Sequence, residues 1–155
     1  MREILFRGKR VDNNKWVYGY LIKTFTGKYF ILTGEDEGFY PSIYAIQGKI
    51  LATEYFYEVI PETVGMKSEH ELGLFEGDIV NFVTGNPKMY VTCIVKFGEY
   101  ETYTHFNKEE GDVEKHNGFY IEHDEYKEPL CSLWLALIGN VHSDPELLQS
   151  TIKQP

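Results

Sequence analysis

Two carboxylates flank a glycine at Glu76-Gly77-Asp78, inside Leu74-Phe-Glu-Gly-Asp-Ile-Val-Asn-Phe82. Neighbouring carboxylates are the groups that hold a divalent cation or share general acid–base work. The same spacing is also turn chemistry. Gly77 can take φ > 0, and Asp78 can hydrogen-bond the turn backbone, leaving Glu76 in solvent. Phe75, Glu76, Gly77 and Asp78 are therefore the first candidate site, and turn formation is the simpler role for them. His70, His105, His116, His123 and His142 include no H-E-x-x-H pair and are read as surface residues, many in acidic surroundings. Cys93 and Cys131 lie in apolar segments without C-x-x-C spacing, as expected of buried, reduced thiols. The chain has no P-loop, no G-x-G-x-x-G and no G-x-S-x-G. No metal, cofactor or catalytic residue is expected, and a binding module is favoured over an enzyme.

A second candidate is electrostatic. The chain of 155 residues has a net charge of −9. Its arginines, Arg2, Arg7 and Arg10, all fall in the first ten residues, which carry +3, while residues 11–155 carry −12. Nucleic-acid affinity comes largely from Lys and Arg neutralising phosphates, so tight DNA binding is not expected. Residues 99–128 hold Glu99, Glu101, Glu109, Glu110, Asp112, Glu114, Glu122, Asp124, Glu125 and Glu128 against Lys108, Lys115 and Lys127. Such a segment is a solvated hairpin or an acidic docking surface for a protein partner.

The elements that must position these groups read as strands. Residues 1–10, 16–22 and 28–33 form an antiparallel meander, with turns at 11–15 and 26–27. Trp16, Tyr18 and Tyr20 share one face of its second strand. That meander is apolar or aromatic on both faces, so a second domain or another subunit must cover one of them, and a homo-oligomer formed through Trp16, Tyr18 and Tyr20 is expected. An acidic loop follows at 34–38 and an ambiguous stretch at 39–48. Residues 49–60 start with a helical pattern and end β-like, with Tyr55, Tyr57 and Val59 on one face. Later strands are expected at 78–83, 89–97, 118–122 and 130–139, with Gly98 breaking the second of these and a turn at 84–87. Asp144 and Pro145 should start a short C-terminal helix. No apolar run approaches the roughly 20 residues of a membrane span. The first ten residues enter a strand pattern rather than a signal-peptide core, so a cytoplasmic protein without membrane association is expected.

Three patches, in order along nearly the whole chain, resemble the YopX family of bacteria and their phages. The first is Phe6-Arg-Gly-Lys-Arg10 with Trp16-Val-Tyr-Gly-Tyr20. The second is Pro61-Glu-Thr-Val-Gly65 with Phe75-Glu-Gly-Asp-Ile-Val80. The third is Ile138-Gly-Asn-Val141 with Pro145-Glu-Leu-Leu148. The resemblance implies a β-rich fold with an SH3-like C-terminal barrel and no assigned activity. The family usually shows an Asp-x-Asn-Gly turn before the second half of the middle patch, where this chain has Met66-Lys-Ser-Glu-His-Glu-Leu-Gly-Leu74. Gly-Asp-Ile-Val in an SH3-like barrel is also similar to the MazF/PemK ribonuclease toxins, whose chemistry needs a later arginine to stabilise charge on phosphate. No arginine follows residue 10 here, and lysine is an imperfect substitute. The expectation is thus a mainly β chain: an N-terminal β meander domain at 1–62, and an SH3-like barrel at 63–155 with a short C-terminal helix and an acidic insertion at 99–128. It would be a phage or prophage accessory protein binding a host or phage protein. A nucleic-acid-processing enzyme or nucleic-acid-binding module is the alternative.

Overall fold

Alternating apolar and polar residues, punctuated by Gly, Asn and Thr turns, fold into antiparallel strands throughout. The computed structural model describes residues 4–33, 45–46, 49–50, 56–70, 72–84, 89–103, 113–124, 126–130 and 134–152. The chain divides into two compact units, Met1–Lys67 and Ser68–Pro155. The expected loop at 34–38, Arg2, Tyr55, His105, Cys131 and most of the 84–87 turn lie outside the described residues.

The first unit contains β1 (Phe6–Lys9), β2 (Trp16–Lys23), β3 (Tyr29–Leu32), β4 (Ala45–Ile46), β5 (Lys49–Ile50), β6 (Phe56–Val59) and β7 (Gly65–Met66). Five of these make one sheet in the order β6-β3-β2-β1-β7; β4 and β5 pair separately. Asn14 takes φ 60° to close the β1–β2 turn, whose Arg10 amide donates to the Lys15 carbonyl at 2.9 Å. The tip of the β2–β3 hairpin is held by Thr24, whose amide donates to the Lys28 carbonyl at 2.9 Å. Ile31 and Val59 are fully buried, and Gly8 lies beneath Val59 because there is no room there for a side chain. The sheet curls far enough for an isolated bridge to join Arg10 to Val59, but it does not close. Residues 63–67 belong to this unit. Thr63 Oγ1 accepts from the Lys9 amide at 2.8 Å, and the Lys67 amide donates to the Leu5 carbonyl at 2.8 Å. Where a helical start had been expected at Lys49, that residue opens β5.

The second unit contains β8 (Asp78–Thr84), β9 (Met89–Tyr103), β10 (Val113–His123), β11 (Tyr126–Pro129) and β12 (Leu135–Asn140), in the order β11-β10-β9-β8-β12. Leu74, Val80, Cys93, Val95 and Ile121 form its core, flanked by Phe82, Val91, Phe119, Leu130 and Leu135. The mainly β expectation stands, but the SH3-like barrel does not. The sheet has two ends, β11 and β12, and among the described residues they do not pair with each other. The barrel is what the resemblance implies, and the strand pattern ends the second strand at Gly98, whereas β9 runs through Gly98, which pairs with Gly118, and continues to Tyr103. Residues 99–128 therefore supply the far half of β9 together with β10 and β11. The expected C-terminal α-helix is also absent: residues Pro145–Ile152 form 3₁₀ turns. The Asp144 carboxylate turns back to accept from the Asn140 amide at 2.9 Å, and the Asp144 carbonyl accepts from the Leu147 amide at 3.1 Å, a three-residue step. Among the described residues, no helix is long and apolar enough to cross a membrane.

Candidate functional site

Gly77 takes φ 84°, which lets the chain turn sharply from Phe75 into β8. The turn aims Asp78 inward, where it is 2% exposed. Asp78 Oδ2 accepts from the Phe75 amide at 2.8 Å, and Oδ1 accepts from Asn140 Nδ2 at 3.3 Å. Asn140 is itself fixed. Its Nδ2 also donates to the Gly77 carbonyl at 2.8 Å, its Oδ1 accepts from the His142 amide at 2.9 Å, and its carbonyl accepts from the Ser143 and Asp144 amides. The Val141 amide closes the ring by donating to the Gly77 carbonyl at 2.9 Å. The Glu76-Gly77-Asp78 candidate is thus a clamp between the start of β8 and the end of β12. Phe75 is buried and Glu76 half-buried beside it. Both oxygens of the Asp78 carboxylate are engaged by hydrogen bonds within the clamp.

The second candidate is on the hairpin of β9 and β10. Their register pairs Tyr100 with His116, and the two rings stack at 5.1 Å between centroids. Tyr100 stacks in turn on Tyr120 at 4.8 Å, and Lys127 Nζ sits 5.6 Å from the Tyr120 centroid. His116 Nε2 is 2.8 Å from Thr102 Oγ1. Beside this stack opens a groove of about 560 Å³, lined by Glu99, Tyr100, Glu101, Lys115, His116, Asn117 and Lys127. Among the described residues, several of the segment's acids lie beside basic groups in the sheet. Glu122 bonds Lys96 and lies 3.7 Å from Lys127, Glu101 is 3.7 Å from Lys115, Glu114 is 3.7 Å from His116, and Asp124 is 3.2 Å from His123. Glu109, Glu110 and Asp112 lie outside the described residues. The result is a rigid surface carrying both signs of charge rather than a uniformly acidic one.

On the first unit, Trp16 is covered by cations. Arg7 Cζ lies 4.8 Å and Lys9 Nζ 5.3 Å from its ring centroid, and both cations are buried. Arg10 sits 4.0 Å over Tyr57 and pairs with Asp12. That bond raises the Arg10 pKa and holds the Asp12 carboxyl below its ordinary value. Tyr18 and Tyr20 remain exposed. Cys93 is buried, which pushes its thiol up to about 11. No cluster of three or more His, Cys, Asp or Glu residues that could hold a metal occurs among the described residues.

The model of the YopX family, described as YopX protein, matches residues 5–149. The chain belongs to the YopX family. No curated protein and no solved structure matches it. The structure gives the YopX patches a physical meaning. The second half of the middle patch and the first half of the last one meet in the Asp78–Asn140 clamp, and the first patch encloses Trp16 with Arg7 and Lys9. The groove residues Tyr100, Lys115, His116, Asn117 and Lys127 belong to none of the patches and were missed as a group. Tyr100 and His116 are neighbours only because β9 continues past Gly98, and a sequence reading that ends the strand there has no reason to bring them together.

Proposed function

We propose that this YopX-family chain is a non-enzymatic protein-binding module of phage or prophage origin, and that the β9–β10 hairpin is its docking surface. The observation that carries this reading is the groove lined by Glu99, Tyr100, Glu101, Lys115, His116, Asn117 and Lys127. Its backbone is rigid, since ten consecutive residues of β10 pair with β9. Its lining offers stacked rings, cationic donors and carboxylate acceptors, the mixture that suits a protein segment rather than a polyanion. The Glu101 and Lys115 side chains reach into solvent instead of enclosing a small ligand. The enclosure of Asp78 supports a non-enzymatic role, because the carboxylate best placed to be catalytic by sequence is spent on holding the fold.

The nucleic-acid alternative loses its best support for the same kind of reason. Of the basic N-terminal residues, Arg7 and Lys9 are buried against Trp16, and Arg10 is paired with Asp12. The exposed Tyr18 and Tyr20 keep the meander available as a second contact face. Capture of proteins from a bacterial host lysate by the full chain and by a Glu99→Lys, Glu101→Lys variant tests the docking surface. The reading expects a specific captured protein to disappear with the variant while thermal melting is unchanged. Capture undiminished by the double substitution contradicts it.

A further inference from the structure

The sheet of the second unit has two edges that are built differently. Edge strands present unpaired amides and carbonyls, and proteins commonly blunt them with charge or proline. β11 follows that rule with Lys127, Glu128 and Pro129. β12 does not. From Leu130 to Ser143 the chain has no Asp, Glu, Lys, Arg or Pro, and β12 lies at the end of the sheet, paired on one side to β8. Apolar side chains project from both of its faces. Trp134, just before the strand, is 84% exposed, Leu137 is 53% exposed, and Ile138 is also exposed. A bulge at Ile138 bends the strand's end, where Gly139 must pack under Leu147 and Asp144, but Leu135, Ala136 and Leu137 stay in regular register with Phe82, Asn81 and Val80.

We propose that the β12 edge is an interaction surface whose occupant is β12 of a second copy of this chain, paired antiparallel across a two-fold axis. Two observations favour a second copy over a foreign strand. The segment is self-complementary: reversed against itself, Trp134 to Ile138 places apolar residues opposite apolar residues at every position, with no like-charge contact in a chain of net charge −9. It also offers no charged group by which a different strand would be selected. The pairing would engage the backbone groups on the side of β12 that no described strand pairs, and join the two five-stranded sheets into one of ten strands.

Sedimentation velocity on the full chain, from micromolar to submillimolar concentration, tests this together with amide exchange followed strand by strand. The expected result is a dimer that grows with concentration, with slowed exchange at residues 135–138 in the concentrated sample. Leu137→Lys should abolish the dimer and leave the thermal melt of the monomer unchanged, since it sets a cation opposite Leu135 of the second copy and a second cation on the diagonal across the axis. A monomer at every concentration overturns the proposal and leaves the edge to a foreign strand. A dimer whose β12 amides exchange as fast as in dilute solution also overturns it, and moves self-association to the Tyr18 and Tyr20 face. The exchange measurement uses the unsubstituted chain, so it decides the matter even if Leu137→Lys fails to fold.

Discussion

Replacing Asp78 with Asn changes almost no volume and should still unfold the second unit far more readily. The carboxylate accepts from the Phe75 amide through one oxygen and from Asn140 Nδ2 through the other. An amide keeps one acceptor and turns the other into a donor, so a donor must face a donor in either orientation. Asn140 cannot flip to relieve this. Its Nδ2 is also committed to the Gly77 carbonyl at 2.8 Å and its Oδ1 to the His142 amide at 2.9 Å. Losing a hydrogen bond to a charged group costs about 1.5–3 kcal/mol, and an unsatisfied buried donor about 1–3 kcal/mol. The two overlap, so the expected loss is about 2–3 kcal/mol. For a cooperative unit the size of Ser68–Pro155, each kcal/mol moves Tm by about 4–8 °C, giving a fall of order 10–20 °C. Urea unfolding should show a lower midpoint with an unchanged m value, and native-state amide exchange should locate the loss at β8 and β12. Glu99→Gln, at an exposed position, is the control and should stay within about 0.5 kcal/mol of the parent. A change at Asp78 as small as that control would refute the clamp.

Gly8→Ala places a methyl group 3.0–3.2 Å from all three side-chain carbons of the buried Val59, and should cost about 1–3 kcal/mol by urea unfolding. Adding Val59→Ala should cost less than the sum of the two single changes, because it opens the space the methyl needs; strict additivity would speak against the contact. Cys93, tested with Cys131→Ser, should resist a thiol reagent at mildly alkaline pH until denaturant is added; fast labelling of the native chain would contradict its burial. Its folded pKa is raised from 9.0 to about 11, so the stability linked to this thiol is fully present below pH 9.0 and lost as pH rises towards 11. Carboxyl NMR should find Asp12 titrating below its ordinary value and rising towards it in Arg10→Gln; an unchanged titration would mean that the pair does not form in solution.

Local pattern made most strands visible in the sequence, because alternation and turn residues act over a few positions. β2 begins at Trp16 as the periodicity indicates, and Gly77 makes the turn that its φ freedom allows. Closure of the second sheet was not legible. Whether its outermost strands meet depends on the length and twist of every strand between them, and the glycine expected to end β9 is paired within it. The groove was hidden by the same misplaced break. The role of Asp78 was half visible: its bond to the Phe75 amide is local turn chemistry, but its partner Asn140 lies 62 residues away and is reached only through the β8–β12 pairing. Which charges lie side by side was not legible either. Counting acids in residues 99–128 gives a strongly negative segment, whereas cross-strand pairing sets Lys96 and Lys127 against Glu122 and brings Lys115 near Glu101.

The division of labour between a clamp that holds the fold and a hairpin that recognises a partner is tested most directly by a quantitative capture assay. Protein retained from lysate would be measured for the parent chain, for the Glu99→Lys, Glu101→Lys variant, and for Glu62→Lys, an exposed change in the first unit. All three should melt at the same temperature, with retention lost only in the hairpin variant. Equal retention by all three, or loss in Glu62→Lys alone, would contradict the assignment of recognition to β9 and β10.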